Sequence, residues 1–240
     1  TATKTYLNPE DFNEFDVVVI DEASMLILPQ AAYAASLSKE KVIFAGDFMQ
    51  LPPIYNTDNK HPSYDVVQKW LGHVFDQVNI EKRIKNKEKN IISLKRQYRM
   101  NEKICKLINK YFYDNNLITD ESVKKSQKKY PKILNDNLIV VDTASANPFC
   151  VYQPYGYSRT NTLHACAIRN LCIYLQENKI IEDITSVGVS TPYKAQQVLL
   201  SDLMKEWSLN DIITGTVHRY QGDQKDIMIE LENASGNTPL

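Results

Sequence analysis

Two acids stand side by side in FDVVVIDEASML (15–26), where Asp21 and Glu22 directly follow the apolar run Val17–Ile20. A second apolar run, KVIFAGD (41–47), also ends on an acid and continues as GDFMQLPPI (46–54). Charges are costly to bury, so acids behind an apolar strand belong at its carboxyl end, where open α/β sheets bind ligands. Gly46 permits close backbone approach, Asp47 and Gln50 supply polar groups, and Pro52-Pro53 stiffens the exit. Ligand chemistry is one reading of the Asp21–Glu22 pair. A simple loop cap by Asp21 is an equally open one.

The bulk of the chain narrows the classes. Its 240 residues can hold one large domain or two small ones around a proper core. With 43% apolar and 24% charged residues, the composition is that of an ordinary soluble globular protein. No apolar run approaches a membrane span, and no signal peptide opens the chain. Cys105, Cys150, Cys166 and Cys172 form neither a CxxC pair nor a Cys/His zinc pattern, which points to reduced, packed thiols in a cytoplasmic protein. The net charge of −1 argues against a wholesale basic surface but leaves room for a local basic cleft. None of the 7 glycines opens a GxxxxGK[ST] phosphate loop.

The elements that must hold these acids alternate between strand and helix. The β-branched run at Val17–Ile20 predicts a strand buried on both faces of a parallel sheet, and KVIFAGD predicts a second. Pro29 opens a short helix through Leu37, and Ser63 caps another running to Gly72. Residues 81–103 are dense in lysine and arginine and fit an inter-lobe connection. A helix follows Asn101, with Ile104, Leu107, Ile108, Tyr111 and Phe112 on one packing face. After the lysine-rich loop KKSQKKYPK (124–132), strands are expected at LIVV (138–141), SVGVS (186–190), DIITG (211–215) and DIMIEL (226–231). Helices near 161–178 and 193–207 alternate with them. The twofold alternation predicts an α/β protein of two lobes, divided near residues 80–95.

VVVIDEAS followed by GDFMQLPPI resembles motifs II and III of superfamily 1 helicases. LKRQYRMNEKICKLINKYFYDNNL (94–117) resembles motif IV and its following helix in the up-frameshift-like branch, superfamily 1B. SRTNTLHA (158–165) is similar to that branch's Ser-x-x-Asn-x-x-Glu-Ala segment, with His164 where Glu is usual. GVSTPYKAQ (188–196) is similar to its Thr-Pro-Tyr-x-x-Gln motif. TVHRYQGDQKDIMI (216–229) resembles motif V, with His218, Tyr220 and Gln224 replacing Asp, Phe and Glu.

The resemblance implies an α/β fold of two RecA-like lobes with mainly parallel sheets, the first lobe incomplete. Residues 1–85 would be the back part of that lobe, and 86–240 the second lobe, ending before motif VI. It implies the interior of an ATP-dependent helicase or translocase moving 5′-to-3′ on single-stranded DNA or RNA, with ATP and Mg²⁺ as cofactors. Hydrolysing a γ-phosphate needs a metal near the β- and γ-oxygens and a positioned water. By resemblance, Asp21 holds Mg²⁺, usually through water, and Glu22 orients and deprotonates the attacking water. Gln50 senses the γ-phosphate, Arg99 reaches it from the second lobe, Tyr98 stacks on adenine, and Asp47 joins the nucleotide-binding groups.

Thr191, Tyr193, Thr216, His218 and Gln221 occupy the matching nucleic-acid motifs. Hydroxyls and backbone amides there would hold phosphates, and aromatic faces would stack bases. Bland readings stand beside several of these residues. Thr191 could cap a helix opened by Pro192, Tyr220 could be core, and the lysine runs could be solvated faces. A Walker A loop is expected upstream of Thr1 and motif VI beyond Leu240. The chain alone is therefore expected neither to bind ATP tightly nor to hydrolyse it. Its incomplete first sheet should leave an edge that invites self-association. The alternative is a non-catalytic, helicase-derived module that binds nucleic acid or a partner.

Overall fold

The computed structural model describes residues 2–54, 64–125, 134, 136–146, 148–152, 158–181 and 183–231. Packing divides the chain into two compact units, Thr1–Ser126 and Gln127–Leu240.

The first unit opens with α1 (Ala2–Leu7) and passes through a 3-10 turn at Pro9–Asp11 into β1 (Phe15–Ile20). α2 (Leu28–Ser36) carries Pro29 in its first turn, where a missing N–H leaves no helical bond unmade. β2 (Ser38–Phe44) then lies parallel to β1, with Val18 beside Val42 and Ile20 beside Phe44. β1 is not buried on both faces. Ile20 is buried, whereas Phe15, Val17 and Val19 are exposed. Val18, Ile20, Val42 and Phe44 pack with Ala23, Ala34 and Phe75, so cover lies on one side. Strand alternation then turns Phe15, Val17, Val19 and Ile43 away from that core.

α3 (Tyr64–Leu71), α4 (Val74–Gln77) and α5 (Ile80–Lys85) follow, and Ser63 lies outside the described residues. β3 (Arg96–Gln97) and β4 (Ile118–Thr119) form a short parallel pair on either side of α6 (Glu102–Phe112) in the chain. Asn101 caps α6, its side-chain oxygen accepting the Lys103 N–H at 2.8 Å. The face predicted to pack is only partly covered: Ile104 and Ile108 are half-buried and Leu107, Tyr111 and Phe112 exposed, while Cys105 and Asn109 are buried. The Asn109 amide sets the rotation of the helix by bonding both the N–H and the carbonyl of Leu117, each at 2.9 Å. The unit ends with α7 (Glu121–Lys125), beyond which residues 126–132 of the lysine-rich stretch lie outside the described set.

In the second unit the LIVV run forms no strand. Its side chains are 44 to 87% exposed, and no neighbouring strand takes up its backbone among the described residues. Strand propensity has no effect without a ladder to join. β5 (Val151–Tyr152) and β6 (Arg159–Thr160) form an antiparallel pair, and α8 (Thr162–Glu177) follows. β7 (Val187–Thr191), α9 (Lys194–Glu206), β8 (Ile213–Thr216) and β9 (Ile227–Glu230) complete a parallel sheet ordered β8-β7-β9. Central β7 is buried at all five positions. Its Val187 and Val189 pack with Ile168 and Cys172 of α8 and Leu200 and Met204 of α9. The fold is α/β with mainly parallel strand pairing.

Candidate functional site

β1 and β2 end together, and their backbone pairing continues past both strands. The Ala45 N–H donates to the Ile20 carbonyl at 2.8 Å, and the Ala23 N–H donates to the Ala45 carbonyl at 2.9 Å. Asp21 and Glu22 are pinned between those two bonds. Glu22 sits in the left-handed region, with φ 50° and ψ 41°, a conformation that costs a non-glycine residue roughly 1–2 kcal/mol. Such conformations persist where surrounding structure enforces them, and they gather at functional sites. The Glu22 N–H donates to Asp21 Oδ1 at 2.9 Å, so the acid does cap its own turn. Among the described residues neither carboxylate pairs with a cation.

Gly46 follows at the end of β2. A Cβ there would lie 2.9 Å from the Ala23 nitrogen and 3.1 Å from Phe75 Cε2, so only glycine lets the two turns approach. Asp47 organises the second turn. Its Oδ1 accepts the Met49 N–H at 3.0 Å, and its Oδ2 accepts Gln50 Nε2 at 3.2 Å and the Tyr113 hydroxyl at 2.5 Å. Burial first, and then the bond to and charge of Asp47, push the Tyr113 phenol well above its ordinary range, so it stays protonated and donating. Gln50, expected at a γ-phosphate, is thus held against Asp47.

Tyr98 and Arg99 lie on an exposed turn after β3, in this same unit. Gln97, which the motif reading passed over, builds the turn. Its Oε1 accepts the N–H groups of Arg99 at 2.9 Å and Met100 at 2.8 Å. Its Nε2 donates to the Met100 carbonyl at 2.8 Å and to Thr119 Oγ1 at 2.9 Å. Every donor and lone pair of that amide is used. The Thr119 contact spans 22 residues, so no local periodicity could reveal it. The Arg99 guanidinium has no hydrogen-bond or ion-pair partner among the described residues.

No cluster of three His, Cys, Asp or Glu side chains among the described residues could cage a metal. Asp21, as a single exposed carboxylate, fits Mg²⁺ in its usual mode, shared between one or two carboxylates, substrate phosphates and water.

The second unit gathers the remaining residues at the carboxyl ends of β7 and β8. Strand register sets Thr191 directly beside Thr216. Tyr193 stands two residues past the end of β7, and His218 two past the end of β8, with Gln221 closing the 3-10 turn Val217–Tyr220. His218 is exposed. Thr191 Oγ1 and both polar atoms of the Gln221 side chain are buried without a partner among the described residues. Thr191 does not cap α9, whose capping position is Tyr193. Ser158 supplies the bond instead, its Oγ accepting the Ala195 N–H at 2.8 Å.

Tyr220 is structural. Its hydroxyl donates to the Ile213 carbonyl and accepts the Val189 N–H at 3.1 Å, and its ring lies against Gly188 and Gly215. Fully buried Asn161 and Gln196 stitch two motif segments together. The Asn161 N–H donates to Gln196 Oε1 at 2.6 Å, and Gln196 Nε2 donates to the Asn161 carbonyl at 3.1 Å. His164, standing where the resemblance expects Glu, is buried with Nε2 2.8 Å from Thr143 Oγ1.

Two family profiles, both described as AAA domain, match residues 75–231 and 2–58. The chain is 30% identical over 232 residues to the DNA polymerase alpha-associated DNA helicase A of Schizosaccharomyces pombe, covering 90% of this chain and 32% of that protein. It is 31% identical over 225 residues to an uncharacterized ATP-dependent helicase of Methanocaldococcus jannaschii, covering 90% and 31%. Against the DNA replication ATP-dependent helicase/nuclease DNA2 of Bos taurus it is 25% identical over 240 residues, covering 90% and 21%. It spans about a third or less of the length of these relatives. Acids at a parallel strand end, the Gly46–Gln50 turn and these matches lead to one assignment: the chain belongs to the AAA-domain family, in the superfamily 1B, up-frameshift-like helicase branch.

Proposed function

We propose that this protein is an ATP-dependent nucleic-acid helicase or translocase that couples ATP hydrolysis to movement on single-stranded DNA or RNA. The observation that carries the reading is Glu22, held in a left-handed turn at the end of β1 beside the Gly46–Asp47 turn. A carboxylate carried on a backbone held in that way is placed to orient a water and take its proton. Mg²⁺, when bound with ATP, supplies charge neutralisation at the β- and γ-oxygens, and Asp21 is the carboxylate that would hold it. Arg99, an exposed guanidinium without a protein partner among the described residues, stabilises charge spreading on the γ-phosphate. Exposed Tyr98 offers its face to the adenine base. Gln50 reports the state of the γ-phosphate by exchanging its bond to Asp47.

Thr191, Thr216 and Gln221 bind the phosphate backbone, and the unpartnered buried atoms of Thr191 and Gln221 support that role. Tyr193 and His218 flank them on the loops leaving the same strand ends. The same reading divides the chain into two RecA-like lobes near residue 85.

The test is Glu22→Gln in the full-length protein, which keeps shape and removes the base. ATP affinity stays near normal, and phosphate release with single-stranded DNA or RNA falls by roughly 10² or more. Turnover retained by the variant would remove Glu22 from this role. A parent without any nucleic-acid-stimulated turnover would favour a binding module over an enzyme.

A further inference from the structure

We infer that Arg159, held between Tyr152 and Tyr193, is a phosphate-contact position on the nucleic-acid face of the second unit. This rests on the nucleic-acid reading above and extends it to a residue outside the quoted motif positions, since Arg159 is a variable place in Ser-x-x-Asn-x-x-Glu-Ala.

The β5–β6 register sets Tyr152 directly opposite Arg159. The guanidinium carbon lies 4.5 Å from the centre of the Tyr152 ring and 5.6 Å from that of Tyr193. Both distances are inside the range of cation–π attraction. Three of the other described arginines use their N–H groups within the protein, whereas the Arg99 guanidinium does not. Arg83 pairs with Glu88 at 2.7 Å, Arg96 pairs with Asp120 at 3.2 Å, and Arg169 bonds the Asn170 side chain at 2.8 Å while stacking on Trp207. The Arg159 guanidinium has the aromatic contacts but neither a hydrogen-bond acceptor nor a carboxylate among the described residues. Its planar fork of five N–H donors is half-buried and held by two rings, which suits a phosphate oxygen pair.

The mount is rigid on both sides. Ser158 Oγ accepts the Ala195 N–H at 2.8 Å, and Asn161 is bonded reciprocally to Gln196. Arg159 is therefore fixed to the β7–α9 loop that carries Tyr193. The first turn of α9 contains no acid, and it begins with exposed Lys194. An anion approaching Tyr193 meets the charges of Arg159 and Lys194, while the nearest strand-end carboxylate, Glu230, stands beside Ser190 on β9.

The experiment uses the full-length protein with fluorescein-labelled oligothymidylate and oligouridylate, and follows anisotropy through a salt series. Each phosphate contact on a single strand adds about 0.7 to the slope of log affinity against log salt. Arg159→Gln should lower that slope by about 0.7 and weaken binding about tenfold at low salt. Arg159→Lys keeps a charge without the fork, so the slope holds while affinity falls. Tyr152→Ala should weaken binding and Tyr152→Phe should not, because the ring face does the holding. The lysine and phenylalanine variants keep the test readable should the others fold poorly. Wild-type binding with an unchanged slope and affinity in Arg159→Gln overturns this inference alone. Failure of the wild type to bind either oligonucleotide overturns the nucleic-acid reading beneath it.

Discussion

One glutamine shows how much a single side chain can place. Gln97 bonds the backbone of Arg99 and Met100 and anchors them to Thr119. Gln97→Glu removes both amide N–H donors, so the Met100 carbonyl loses its partner and faces a carboxylate oxygen, and the Thr119 hydroxyl must turn from accepting to donating. On the proposed nucleotide roles of Tyr98 and Arg99, the loosened turn should lower kcat/KM for ATP about ten- to a hundredfold in the full-length protein. Steady-state kinetics beside a thermal melt would check this. A lower melting temperature with unaltered kcat and KM would make Gln97 merely structural. At this same scale Asp47 accepts from Met49, Gln50 and Tyr113, so an acid read from its motif as a nucleotide ligand is also the centre of its own turn.

At the scale of elements, the junction between β1 and β2 depends on Gly46. The atom a Cβ would meet first is a backbone nitrogen, that of Ala23, which cannot swing aside as a flexible side chain can. Gly46→Ala should therefore force the Asp21–Ala23 turn away from β2, at a cost of about 1–3 kcal/mol. Urea unfolding would register it as a lower midpoint with an unchanged slope. An unchanged midpoint would mean that the two turns are not packed as closely as described. The rotation of α6 is another decision at this scale. Paired bonds from Asn109 to Leu117 hold a polar residue inward and leave Leu107, Tyr111 and Phe112 outward.

Across the whole chain, the two compact units have their own cores, and the second is the one a thiol can report. Cys105, Cys166 and Cys172 are free thiols. Cys172 is buried in that core, and burial pushes its thiol up to about 12. A raised thiol pKa favours the protonated form, so at pH 8 only roughly 10⁻⁴ of Cys172 is thiolate. Cys166, on the same helix, is partly exposed. Iodoacetamide at pH 8 should modify Cys166 in the native protein and reach Cys172 only in denaturant, as peptide mass spectrometry would show. Early labelling of Cys172 would mean that this core opens far more readily than its packing implies.

Local signals alone determined much of this. The strand runs ending on Asp21 and Asp47, the Asn101 cap and the parallel α/β character all rest on short-range periodicity and turn chemistry, which a linear sequence carries directly. The motifs also placed Thr191 and Thr216 in segments whose strands prove to be neighbours. Tertiary structure decided the rest, because burial depends on what lies against a segment rather than on the segment. β1 has the composition of a doubly covered strand, yet it packs on one side. LIVV has the composition of a strand and, among the described residues, lacks a ladder to join. The Gln97–Thr119 bond and the meeting of Tyr152, Arg159 and Tyr193 exist only after distant segments are brought together. Hydrogen bonds and ring contacts at that range leave no periodic trace in the chain.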